Sequence, residues 1–167
     1  MADIEGRPPS KTVSGDAGDV TAGEVTTRQG GARSVAARQV TIRQGGAVRV
    51  EAQEVDVRQG GIVLATTNKL EVTAGGVVAA IADTAELEQS WAQMVVARES
   101  VEMDQAASGL VVSNAAHVRD SAIGVLLARE FQGQNVRVLM GSRAAFAFGA
   151  GVGLALGLLA VVVRPRR

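Results

Sequence analysis

The tetrapeptide RQGG stands at Arg28–Gly31, Arg43–Gly46 and Arg58–Gly61, at intervals of fifteen residues, and Ala74-Gly75-Gly76 keeps the interval once more. A fixed short interval constrains a chain more than local propensity does, because each repeat must meet the next in the same way. Inside the fifteen lies a finer interval of five. Small or apolar residues recur as pairs two apart, each pair five residues after the last: Val20/Ala22, Val25/Thr27, Gly30/Ala32, Val35/Ala37, Val40/Ile42 and Gly45/Ala47. The series continues through Val50/Ala52, Val55/Val57, Gly60/Ile62, Ala65/Thr67 and Leu70/Val72 as far as Val95/Ala97.

A spacing of two is strand alternation, and the step of three to the next pair is a corner that turns the chain while keeping it inward-facing. Three such faces make one coil of fifteen. The expected fold is therefore all-β, a three-sided parallel β-solenoid whose coils stack about 4.8 Å apart. A helix does not generate this pattern, since residues five apart lie about 140° apart around a helix of 3.6 residues per turn. The Gly pairs fall at one corner, where a sharp bend or a positive φ is the physical use of glycine. Aromatics are nearly absent, with Trp91, Phe131, Phe146 and Phe148 and no Tyr, so the interior must be built from Val, Ala, Leu and Ile.

The phase breaks near residue 98. Unshifted, it would turn Glu102, His117, Asp120 and Glu130 inward, and unpaired buried charge is costly. A shift of one residue instead gives Val101/Met103, Ala106/Ser108, Val111/Ser113, Ala116/Val118, Ser121/Ile123, Leu126/Ala128 and Phe131/Gly133. A one-residue bulge between Ala97 and Val101 is the expectation. The solenoid is assigned to 20–140, roughly eight coils or about 38 Å, behind a polar, Pro-containing arm at 1–19 that reads as disordered.

Residues 141–143 read as a hinge, and Ala144–Val163 carries neither a charge nor a polar side chain. Twenty such residues match a bilayer-spanning helix, bounded by Arg143 and the basic tail 164–167. Within it Ala145, Gly149, Gly153 and Gly157 recur every four residues, a stripe that permits close helix approach in lipid. The lipid bilayer and further copies of the chain are the expected partners. Two rules conflict on topology: Arg164, Arg166 and Arg167 favour a cytoplasmic tail, whereas no secretory signal leads the given sequence. The second is given more weight, so a cytoplasmic solenoid is expected, with an extracytoplasmic one as the alternative.

Little points to chemistry. There is no Cys, the single His is His117, and Lys plus Arg equals Asp plus Glu. No nucleophile triad, metal-ligand cluster or phosphate loop is present, so no enzyme, cofactor or nucleic-acid partner is assigned. Two surface features remain. Arg28, Arg43 and Arg58 share one position in successive coils, as do Gln29, Gln44 and Gln59. The Gln side chains can form a hydrogen-bonded ladder, while the Arg column needs acids such as Asp56 and Glu71 or an anionic partner. Trp91 replaces a corner Gly and should point outward, either as an interface residue or packed under a local loop. Charge is also banded along the chain: basic from Arg28 to Lys69, acidic from Glu71 to Asp104, then basic again through Arg119, Arg129 and Arg137.

A three-sided β-helix of this length with an N-terminal arm and a membrane element resembles the bactofilins, bacterial cytoskeletal proteins that polymerise end to end without nucleotide. The resemblance covers 20–138 and lies in the architecture. Its fifteen-residue RQGG repeat and C-terminal membrane segment depart from that pattern. It implies a structural, self-assembling scaffold. The other reading is a binding module that presents Arg and acidic ladders to a protein or an anionic glycan.

Overall fold

The computed structural model describes residues 10–140. The assigned hinge, apolar segment 144–163 with Ala145, Gly149, Gly153 and Gly157, and basic tail lie outside the described residues. Fourteen strands follow one another: β1 (Ser10–Ser14), β2 (Ala17–Thr21), β3 (Glu24–Gln29), β4 (Gly31–Ala36), β5 (Gln39–Ile42), β6 (Gly45–Glu51) and β7 (Glu54–Arg58). They continue as β8 (Gly60–Thr66), β9 (Lys69–Thr73), β10 (Gly76–Glu88), β11 (Trp91–Asp104), β12 (Ala107–Arg119), β13 (Ala122–Gln134) and β14 (Arg137–Met140).

Every pairing is parallel and links a segment to its equivalent one coil later. In the early coils one strand carries two faces and the next carries the third. Thus β4, β6 and β8 stack in one row, and β5, β7 and β9 in another. From β10 onward one long strand runs round all three faces, its first part on β8 and its second on β9. The chain is a parallel β-solenoid.

The inward positions are those of the five-residue phase. Val40, Ile42, Val50, Val55, Val57, Leu70 and Val72 are all fully buried. Because stacked coils present the same positions to one another, volume is balanced within each coil. Where Ile62 and Leu70 are large, Ala65 between them is small, and Met103 is matched by Ala92 and Ala97. No aromatic ring is needed to fill so narrow an interior.

The bulge falls at Arg98–Glu99. Ala82 pairs with Ala97, but Thr84 pairs with Ser100. On the next coil Val96 pairs with Val112 and Ser100 with Ala115, so the extra residue is confined to this corner. A bulge leaves a backbone group without its ladder partner. The Asn114 side-chain amide donates to the Arg98 carbonyl, and the Arg98 guanidinium lies 3.6 Å from Asp83 of the preceding coil. Val101, Met103, Val118 and Ile123 are buried beyond the bulge, while Glu102, His117 and Glu130 are exposed.

Three expectations need correction. The solenoid begins at Ser10, inside the stretch expected to be disordered. There β1 pairs with β3 at an offset of fourteen, Val13 against Thr27, with a register shift before Ser14. That offset puts Val13 out of phase and hides the first coil. Among the described residues the coils number nine, one for each left-handed corner residue. These are Gly15, Gly30, Gly45, Gln59, Ala74, Gln89, Gln105, Asp120 and Asn135. In the first two RQGG copies the left-handed residue is the first glycine, Gly30 and then Gly45 (φ 136°), whereas in the third it is the glutamine, Gln59. Gly60 serves close approach instead: a Cβ there would lie 2.6 Å from the Gly45 carbonyl oxygen. Finally, Phe131 stands in register with buried Ala116 yet is 46% exposed. Its inward position lies in the last described coil, where β14 covers only the first part of β13.

Among the described residues the buried Ser113 hydroxyl has no hydrogen-bond partner. Ser113 pairs with Ala128 of the next coil, and Ala97 follows Val96, the partner of Val112, in the coil before. Ser113→Ala should therefore raise stability by about 1 kcal/mol, by removing an unsatisfied polar group from a site shaped for alanine. Val55→Asp should lose about 3–5 kcal/mol, the scale of an uncompensated buried charge. Paired thermal melts check both; equal Tm values for the two variants would contradict the inward assignment.

Candidate functional site

Each coil presents three outer faces. In the coil from Gly60 to Thr73 the first face runs over 60–63, the second over 64–67 and the third over 69–73. Parallel in-register stacking places like positions in columns, so any outward residue type repeated along the sequence becomes a stripe along the axis.

The third face is charged. Its columns run Glu71, Glu86, Glu102, His117 and Thr73, Glu88, Asp104, Arg119. Glu86, Glu88, Glu102, Asp104, His117 and Arg119 line a shallow groove there. Glu71 lies 3.9 Å from Lys69 on its own strand. Among the described residues Glu86, Glu88, Glu102 and Asp104 make no ion pair, and no cluster of three or more His, Cys, Asp or Glu side chains is placed to hold a metal ion. Among the same residues His117 has no hydrogen-bonded partner that would make it a general base.

The corner between the third and first faces carries the Arg and Gln columns. Arg28, Gln29, Arg43, Gln44, Arg58 and Gln59 line one open groove. Each Gln amide donates along the axis to the next, Gln29 to Gln44 and Gln44 to Gln59, both at 3.5 Å. These are long bonds, so the ladder orders the side chains more than it stabilises the coil stack. Arg58 is neutralised by Asp56, through Nη2–Oδ2 at 3.1 Å and Nε–Oδ1 at 3.3 Å. Glu71, the other acid expected to compensate this column, turns to Lys69. Arg28 and Arg43 make no ion pair among the described residues, which leaves two adjacent guanidinium groups facing solvent.

Trp91 is 55% exposed and does not pack under a loop. Its ring lies back along the axis over the preceding coil: a Cβ on Gly76 would lie 2.5 Å from Trp91 Nε1 and 2.6 Å from Cε2. Gly76 is what lets the indole lie flat. The ring closes one end of an apolar groove floored by Gly46, Gly61 and Gly76 and walled by Val48, Val63 and Val78.

The feature missed by reading only inward positions is the outer chemistry of the first two faces. Segments 60–67, 75–82, 90–97, 106–113 and 121–128 occupy these faces in five successive coils, and none of them contains a charged residue. Their outward positions carry Leu64, Ile81, Met94, Val96, Leu110, Val112 and Leu127. Every charge in these coils sits on the third face or at its two corners. The signal is present in the sequence as charge-free octets at the coil interval.

The Glu71–Glu86–Glu102 column sets like charges directly across paired strands, which is destabilising. Glu86→Gln should raise Tm, and added salt should raise the wild-type Tm while shrinking the variant's advantage. Thermal melts at low and high ionic strength check this; a Tm lowered by the substitution would mean that the column is compensated.

The solenoid architecture is compatible with that of the bactofilins. No protein-family model, no curated protein and no solved structure matches the chain.

Proposed function

We propose that the chain is a membrane-anchored structural scaffold that assembles with further copies of itself. The observation that carries this reading is the solenoid: a rigid parallel stack with no enclosed ligand site among its described residues and with outer strands left unpaired at both described ends. Among the described residues β1 and β2 each pair on one side only, and the second part of β13 pairs only with β12. An unpaired strand edge is a template for another chain. The apolar stretch 144–163 supplies the anchor in this reading, with Ala145, Gly149, Gly153 and Gly157 as its self-association stripe.

One residue modulates end-to-end growth. Lys11 pairs in register with Val25, an inward position of the next coil. A charge at an inward position of a terminal strand is a device that opposes edge stacking. Growth through this end must cover or neutralise that ammonium group.

A second reading has its own observation in Arg28 and Arg43, which make no ion pair among the described residues and stand beside the Gln ladder. It makes the rod a display module for an anionic polymer or an acidic protein surface.

Electron microscopy of the full chain separates the two. Filaments or arrays support scaffolding, and Lys11→Val should lengthen them. Discrete rods that bind a sulfated glycan, with binding lost in the Arg28→Ala, Arg43→Ala double variant, support display. The side of the membrane is read by accessibility. The chain has no Cys, so His117→Cys reports the solenoid alone. A membrane-impermeant maleimide should label it only after intact cells are permeabilised; labelling beforehand places the solenoid outside the cytoplasm.

A further inference from the structure

We infer that the charge-free second face is the seat of the chain's own apolar segment 144–163, which lies along it as a helix when no bilayer holds it. The inference goes beyond the scaffold reading and rests on it only for the segment's other place, in lipid.

A sheet face turned to water alternates apolar inward with polar outward. On this face the alternation fails on the outside. Ile81 is 44% exposed and Leu127 37%, with Met94, Val96, Leu110 and Val112 half-buried between them. Position points to the occupant first. β14 ends at Met140, which pairs with Val125 at the start of this face, so the chain leaves the described solenoid here. Width points the same way. Four residues at about 3.3 Å each make a face about 13 Å wide. One helix with its side chains is about 10–12 Å across, so the face takes a single helix.

Length agrees as well. From Met140 the column runs through Val125, Leu110, Met94, Ala79 and Leu64 to Arg49, six coil steps. At about 4.8 Å each these span about 29 Å. A helix of the twenty residues 144–163 is about 30 Å long. The two charge-free runs therefore end together: Arg164 follows the segment where Arg49 and Glu51 close the face. Charge disfavours the other occupants. From Gly60 to Ala128 three basic residues, Lys69, Arg98 and Arg119, stand against eight acidic ones. That excess repels an anionic bilayer surface and a second copy of the same half-rod alike. Segment 144–163 carries no charge and meets no such repulsion. The seat covers one side of the segment whereas lipid surrounds it, so a bilayer draws it away. The seat thus holds the anchor between synthesis and insertion.

The test uses the full chain, translated in a cell-free system without membranes. The coil of Val96 lies three steps from that of Met140, about 14 Å, which a helix starting at Ala144 covers in about ten residues. Val152 and Leu154 stand on opposite sides of such a helix. Val96→Cys combined with Val152→Cys or with Leu154→Cys should give an intrachain bismaleimide cross-link in at least one of the two variants. Val96→Cys with Val163→Cys, and Glu102→Cys on the third face with either partner, should give at least tenfold less. Adding Ile81→Lys and Val112→Lys should also cut the link at least tenfold, with unchanged protease resistance showing that the fold survives. Liposomes present during translation should abolish it. No link in either variant, or an equal one from Glu102→Cys, overturns the proposal. So does a link formed only between chains when single-cysteine variants are mixed, which would assign the face to a second copy. A link that persists with liposomes upholds the seat and removes the anchor reading. A segment that inserts into liposomes, with no link in their absence, keeps the anchor reading and overturns the seat.

Discussion

Everything in this molecule depends on parallel backbone pairing between one coil and the next. Each strand takes its hydrogen bonds from its own equivalent one coil away, fifteen residues in most of the stack, so residues meet mainly their counterparts. This makes the fold unforgiving about what repeats. A charge placed inward recurs as a buried column unless the sequence changes, and a volume change in one coil is felt directly by its two neighbours. The Val, Ala and Leu interior is the response: where Leu70 stacks on the smaller Ala85 its coil compensates elsewhere, and Ile62 is set against Ala65 within a single coil. Dispersion between such evenly stacked side chains is individually small and collectively large.

The inner half of this fold is legible in the sequence because burial enforces periodicity. Val40, Val55 and Leu70 announce one column, and Ile42, Val57 and Val72 another. The slip at Arg98–Glu99 can be placed because its alternative would bury Glu102 and Glu130, a penalty large enough to exclude a register. What cannot be read is weakly enforced. The first coil, with Val13 displaced by one place, has a neighbour on one side only and tolerates Lys11 where the next coil has Val25. The left-handed corner moves from Gly45 to Gln59 although glycine is present in both coils. Local backbone sterics permit either residue to take the bend, and the sequence shows no preference.

The surfaces are legible in part. The Arg and Gln columns follow from the interval alone, but their chemistry depends on rotamers. Asp56 reaches Arg58 from two residues away on the same strand, whereas Glu71 is drawn to Lys69. The two charge-free faces are recorded in the sequence as absences, which a search for inward positions passes over. They become visible only when the outward positions of five coils are laid side by side. Over these five coils the rod is amphipathic about its long axis: an acidic side, two apolar sides and a thin polar seam at each corner between them.

The bulge at Arg98–Glu99 has a consequence for how the chain finds its fold. In a strict fifteen-residue repeat, a strand that docks one whole coil too far along still pairs apolar with apolar and Gly with Gly. The segments from Arg28 to Gly61 are near-copies, so such a slip is almost degenerate there. The sixteen-residue coil removes that degeneracy for everything around it. Arg98 and Asn114 meet only when the wide coil lies between its proper neighbours, and a one-coil slip would leave the Arg98 carbonyl without its amide. One extra residue thus serves as a fiducial mark on a nearly uniform ruler, dividing the solenoid into a longer N-terminal part that counts by repetition and a shorter C-terminal part that counts from the mark.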